Sequence, residues 1–233
     1  NIIRYYKGTD NGALAARLID LADSTDKGRP YAVSEFVSPG AVQIGETVSA
    51  HAATLVLRVN GGYEGAERVK LCFIRNDYEG SVDFGLTACR ITWDARYRLL
   101  GHRDVLGALM SLGIDRGRFG DIIMHEDGAV VLVDTKLLPY LQQNLEKIAM
   151  VSVTISEVPV ASIPPRREKI KEIKTTVASL RLDAVVSSGF GISRTKAAEA
   201  IKGERVQVNW QPAKGASQEV GAGAVRSEER RVG

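Results

Sequence analysis

Between residues 86 and 158 the hydrophobic period switches repeatedly, and few folds satisfy the order in which it does so. "LTACRITW" (86–93) has strand composition. "HRDVLGALMSLG" (102–113) then spaces Val105, Leu106, Leu109 and Met110 for one helical face, with Gly113 as the expected C-cap. "DIIMH" (121–125) and "AVVLVD" (129–134) are short apolar strands, and "EDG" between them predicts a hairpin turning on Asp127-Gly128. "TKLLPYLQQNLEKI" (135–148) returns to helical spacing through Leu138, Leu141, Leu145 and Ile148, with Pro139 early enough to be tolerated. "VSVTISEV" (151–158) alternates as a strand. The order β-α-β-β-α-β predicts a ferredoxin-like split sandwich.

Around this centre the chain reads as α+β and multi-domain. Residues 1–85 are expected to form a small α/β domain. Leu14, Leu18 and Leu21 mark an amphipathic helix there, and "ATLVLRVN" (53–60) and "VKLCFIR" (69–75) read as strands. Residues 86–160 are the ferredoxin-like, RRM-like domain. Pro164 and Pro165 stop regular structure, so 161–175 reads as linker and entry segment. Residues 176–225 form a small αα-β module, and 226–233, "RSEERRVG", read as a non-native tail set apart from the fold.

Charge follows the same division. Residues 1–163 hold 17 Lys and Arg against 20 Asp and Glu, a net of −3. Residues 164–233 hold 14 against 8, a net of +6, which accounts for the overall +3. A basic module beside a mildly acidic one is the footprint expected where one part contacts a polyanion. No apolar run approaches the ~18 residues that span a bilayer. No basic-then-apolar leader opens the sequence, and the two cysteines, Cys72 and Cys89, form no C-x-x-C pair. These features predict a cytoplasmic protein without membrane contact.

The module carries the candidate site. "SLRLDAVVSS" (179–188) predicts a helix with Leu182, Val185 and Val186 inward and Gly189 ending it. Ser193 is placed to cap a second helix, whose Ala197, Ala200 and Ile201 face the first. A helix start offers unpaired N–H groups and attracts phosphate. Arg194 and Lys196 add full charges in that first turn. They lie about 160° apart around the axis, so they are expected to straddle the helix tip rather than form a stripe. Lys202 and Arg205 extend the basic patch at the other end. Val206 and Val208 face inward on the following strand.

"SLRLDAVV" and "GISRTKAAEAIKGERVQVNW" resemble the small RNA-binding domain of the ribosomal protein S-four type: R-L-D, S-R-x-x-A, an isoleucine-bearing helix end and V-x-V-N are all present. Two departures stand out. Gly203 is followed by Glu204, and the closing strand usual in that family is not evident before the tail. "GGYEGAER" (61–68) and "HRDVLGALMSLGIDRGRFGDI" (102–122) extend the resemblance to the bacterial YlmH family. That resemblance implies an RNA-binding protein without catalysis. Its implied partners are ribosomal RNA or tRNA and the large ribosomal subunit, in rescue of stalled complexes carrying peptidyl-tRNA. Older descriptions of the family point to cell division. The RNA-binding residues expected on this basis are Arg181, Ser193, Arg194, Lys196, Lys202, Arg205, Asn209 and Lys214. Arg181 and Arg194 are the first expected phosphate contacts. Arg103, Arg116 and Arg118 are secondary candidates for RNA or a partner.

Other chemistry finds little footing. "DFG" (83–85) and "HRD" (102–104) stand in the wrong order for a kinase. His51, His102 and His125 show no metal-ligand spacing with either cysteine. No cofactor is expected. The ferredoxin-like sheet lacks the paired aromatics with which sheets of that shape stack RNA bases. Two alternatives stay open: an RNA-modifying enzyme of the pseudouridine synthase type, whose catalytic loop is not found here, and a protein-binding division factor, which leaves the basic module unexplained.

Overall fold

The computed structural model describes residues 11–94, 96, 99–166, 174–203, 205–208, 211–213, 215–221 and 226–228. It divides into two compact units, Asn1–Arg167 and Glu168–Gly233.

The first unit opens with helix α1 (Asn11–Asp26), strand β1 (Tyr31–Val37), helix α2 (Pro39–Ala50), and strands β2 (Leu55–Asn60) and β3 (Val69–Arg75). The strands pair antiparallel in the order β1-β3-β2. Ala15, Leu18 and Ala22 recur at helical spacing and pack with Ile44 and Val48 of α2 onto Leu71 and Phe73 of β3. The expected helix and both expected strands are present. Strand β1 and helix α2 were not anticipated. Pro39 stands in the first turn of α2, where its missing N–H is no loss.

The ferredoxin-like order follows. Strand β4 (Leu86–Trp93), helix α3 (His102–Ser111), strands β5 (Phe119–His125) and β6 (Gly128–Asp134), helix α4 (Leu138–Asn144), and strands β7 (Lys147–Ile148) and β8 (Val151–Val158) succeed one another. The antiparallel sheet runs β5-β6-β4-β8, with the two-residue β7 added at the edge. Alternation sorts its faces. Cys89, Ile91, Val131 and Val133 pack with Val105, Leu109 and Leu141 from the helices. Ala88, Val130 and Leu132 point the other way and close over Phe36 of β1. Burying Phe36 contributes roughly 1.5–3 kcal/mol. Part of the sheet face that RRM-type domains leave open for bases is therefore filled by Phe36 of β1.

Three local expectations are corrected. The hairpin turns on Glu126-Asp127, and Gly128 is already the first residue of β6, paired with His125. Gly128 is needed for close approach, since a Cβ there would stand 2.4 Å from the Ile91 carbonyl oxygen. The helix expected over 135–148 is α4 preceded by a 3-10 turn at Thr135–Leu137; Ile148 is buried, but on β7. An apolar spacing of three or four residues is satisfied equally by a helix end and a following strand.

The second unit holds helices α5 (Leu182–Phe190) and α6 (Arg194–Lys202) and strands β9 (Val206–Val208), β10 (Gln211–Pro212) and β11 (Arg226–Glu228). Leu182, Val186, Ala197, Ala200, Ile201, Val206 and Val220 form its core. Helix α5 runs past Gly189 and ends at Gly191, whose φ of 65° is the left-handed conformation glycine adopts without strain. Strand β11 pairs antiparallel with β9, Arg226 opposite Val208 and Glu228 opposite Val206, so residues 226–228, expected to belong to a tail set apart from the fold, form part of it.

Candidate nucleic-acid interface

Arg181 is the N-cap residue of α5 and bridges by its backbone to Glu219. The segment after β10 shields this helix start: Leu182 N–H donates to the Gln218 carbonyl (2.7 Å) and Asp183 N–H to that of Ala216 (3.0 Å). The N–H groups in the first turn of α5 are thus engaged within the module. The start of α6 is built differently. Ser193 is its N-cap, and its hydroxyl accepts the Lys196 N–H at 3.2 Å. This cap is the one expected from the sequence.

The arginines are organised by the acid of the R-L-D motif, which was not among the expected RNA-binding residues. Asp183, 7% exposed, accepts from Arg181 Nε (3.1 Å), Arg181 Nη2 (3.2 Å) and Arg194 Nη2 (2.9 Å). Its Oδ1 also accepts the Ala184 N–H (2.9 Å). The Arg181 guanidinium holds its carboxyl down, burial opposes that, and Arg194 adds to the lowering, leaving it at about 2. One carboxylate thus gathers two guanidiniums from different helices. Their side chains remain 44% and 57% exposed. A guanidinium has five donors in a planar fork, so each retains N–H groups for a further anion.

This arrangement revises the expected geometry. Arg194 does not straddle the α6 tip with Lys196. It turns back to α5, and the pair is Arg181 with Arg194. Lys196, Lys202 and Arg205 are exposed, Lys202 being the last residue of α6. Asn209 and Lys214 lie outside the described residues.

The secondary candidates in the first unit are differently occupied. Arg116 donates through Nη1 to the carbonyls of Phe119 (2.7 Å) and Gly120 (3.1 Å) and stacks on the Phe119 ring, 4.3 Å from its centroid. Arg118 pairs with Asp134 (2.9 Å), which also holds the buried ammonium of Lys70. Arg103 is exposed. His102 is the first residue of α3, where the Asp104 carboxylate accepts the Gly101 N–H (2.8 Å) and closes the helix start. Cys72 and Cys89 are buried free thiols, and burial pushes both up, to about 11 and about 12. Among the described residues no group of three or more His, Cys, Asp or Glu is placed to hold a metal ion. No helix among them is long and apolar enough to cross a membrane.

Comparison with known proteins agrees with this division. Residues 80–162 match the family described as "Putative RNA-binding domain in YlmH", and residues 180–225 match the S4 domain. The "Ribosome-associated protein quality control protein P2" of Bacillus subtilis (strain 168) is 29% identical over 179 residues, 76% of this chain and 69% of that protein. The solved "Cell division protein ylmH from Streptococcus pneumoniae" has a TM-score of 0.57 at 21% identity, covering 66% of this chain and 94% of that one, a likeness of fold. The chain thus matches the YlmH RNA-binding domain and, after it, the S4 domain.

Proposed function

We propose that this chain is a non-catalytic, cytoplasmic RNA-binding protein that docks on the ribosome through its S4 module. The RNA is structured rRNA or tRNA, gripped by phosphate contact and shape. The finer reading is action on the large subunit, in rescue of stalled complexes that carry peptidyl-tRNA. The observation that carries the proposal is the Arg181–Asp183–Arg194 cluster: two exposed guanidinium forks held at fixed spacing beside a capped helix start. Bidentate forks of this kind suit phosphate oxygens. The S4 match and the name of the Bacillus subtilis relative support the same reading. Lys196, Lys202 and Arg205 widen the patch, and Asn209 and Lys214 are proposed to continue it. The division at 85/86 between the two upstream domains, and their role in positioning the module, belong to the proposal as well.

Co-sedimentation with purified bacterial subunits at low and high salt tests it. The proposal expects salt-sensitive retention on the large subunit. Replacing Arg181 and Arg194 together with alanine should weaken retention and lower the slope of log K against log salt by about two, roughly one per lost phosphate contact. Equal retention of the parent and the double variant would place the interface elsewhere.

A further inference from the structure

The two stretches that most resemble the YlmH family, 61–68 and 102–122, meet in space. They form the walls of a cleft of about 730 Å³ on the first unit, with Tyr63, Arg68, His102, Arg116, Asp121 and Arg166 around it. That volume is in the range of small-ligand sites. Asp121 ties the walls together: it accepts the Tyr63 hydroxyl (2.7 Å) and the N–H groups of Glu67 (2.8 Å) and Arg68 (2.9 Å). Burial and this carboxylate together push the Tyr63 phenol well above its ordinary range.

The charges do not cancel. Glu67 is engaged by Arg166 at 2.8 Å. Arg68 donates through Nη2 to the carbonyls of Phe36 (2.8 Å) and Arg116 (3.1 Å). Carbonyls fix the geometry of a guanidinium without neutralising it. Among the described residues neither Arg68 nor Arg116 has a carboxylate within ion-pair distance, and Arg68 Nε is buried with no acceptor. Burial lowers both guanidiniums from their ordinary value, Arg116 to about 10; Arg68 lowers Arg116 further, while Asp121 acts on both, and Glu35 on Arg68, in the opposite direction. Three arginines face two acids here, in a stretch of chain that is acidic overall. Two half-buried cations side by side are stabilised by an anion from outside, which adds to the partial offset from Asp121 and Glu35. Carbonyls engage one terminal nitrogen of each, so Arg116 keeps Nε and Nη2 and Arg68 keeps Nη1 to share among the oxygens of a phosphate.

We propose that this cleft binds a phosphate group, a second anion site distinct from the S4 surface, supplied by an RNA backbone or by a free phosphate compound. Thermal unfolding of the full chain in inorganic phosphate, against chloride at equal ionic strength, tests it. The wild type should gain roughly 3–6 °C at about ten times Kd. Arg116→Lys keeps the charge and removes the fork, and should lose most of that gain. Arg166→Gln, at the rim, should lose part of it without disturbing the fold. The readout is the phosphate-dependent gain, so a lower baseline in either variant does not obscure it. Binding of a labelled 20-nucleotide RNA hairpin by the Arg181→Ala, Arg194→Ala chain separates the sources. Residual binding that falls further with Arg166→Gln assigns the site to backbone phosphate. A phosphate gain without residual RNA binding assigns it to a free phosphate compound. No gain in the wild type, the same gain in both variants, or an equal gain in acetate would overturn the proposal. Failure of the S4 reading registers separately, as hairpin binding indifferent to the Arg181 and Arg194 replacements in an otherwise wild-type chain.

Discussion

Arg181 and Arg194 in the S4 module, and Arg68 and Arg116 in the upstream unit, are held in opposite ways. The first pair is gathered by one carboxylate, Asp183, and stays about half exposed. The second pair is tied down by main-chain carbonyls, has no carboxylate within ion-pair distance of either guanidinium among the described residues, and is half buried. A carboxylate holds a guanidinium in place and offsets part of its charge, which suits a fork waiting at the surface for an extended polyanion. A carbonyl cage holds it with only the partial offset of acids farther off, Asp121 and Glu35, which suits a recessed site that draws in a single anion. Residue type alone does not distinguish these uses; the partner does.

The comparison is broken most severely at Asp121, the acid on which the upstream arrangement depends. Asp121→Ala removes the acceptor of one phenol and two main-chain N–H groups. The loss should lower the unfolding free energy by about 2–4 kcal/mol, since each stranded partly buried donor costs about 1–3 kcal/mol. Denaturant unfolding followed by the fluorescence of Trp93, buried in that unit, reads it. A change below about 1 kcal/mol would show that Asp121 does not organise the cleft.

A smaller effect is expected at the module's helix start. Ser193→Ala strands the Lys196 N–H and should destabilise the module by about 1 kcal/mol, while Ser193→Gly costs only a few tenths. Urea unfolding followed by circular dichroism compares the two. Equal losses would mean that the hydroxyl is not the cap.

The smallest expected effect is that of pH. The Asp183 carboxyl is lowered from its ordinary 3.8 to about 2. The order it contributes is therefore complete above about pH 4 and is lost as pH falls through about 2. RNA affinity of the module should stay flat from pH 8 to pH 5 at constant salt, as measured by fluorescence anisotropy. A titration centred between 5 and 7 would point to a group other than this cluster.

Much of this architecture could be read from the chain, for identifiable reasons. The ferredoxin-like domain was legible because its period switches cleanly and its strands are short and apolar. The errors came where one spacing serves two structures, as at Leu145 and Ile148, and where a Gly reads as a turn residue but is needed for close packing, as at Gly128. Strand β1 escaped notice because "YAVSEFV" carries Ser34 and Glu35 in its middle, interrupting the apolar run. The basic residues of the module and the cap at Ser193 were visible one by one. Their grouping was not. Asp183 lies eleven positions from Arg194, across a helix turn, and Asp121 lies more than fifty from the main-chain N–H groups it receives. The R-L-D motif marked Asp183, but nothing in its spacing showed that it gathers Arg194 as well as Arg181.

The most direct test of the account is RNA affinity of the full chain carrying Asp183→Asn, measured against the parent at several salt concentrations. Charge counting alone predicts tighter binding, because the substitution removes a negative charge from a basic surface. The account predicts the reverse: binding several-fold weaker, with the salt slope little changed, because both arginines remain but are no longer held at fixed spacing. Binding equal to or tighter than the parent's, in a variant that stays folded, would contradict it.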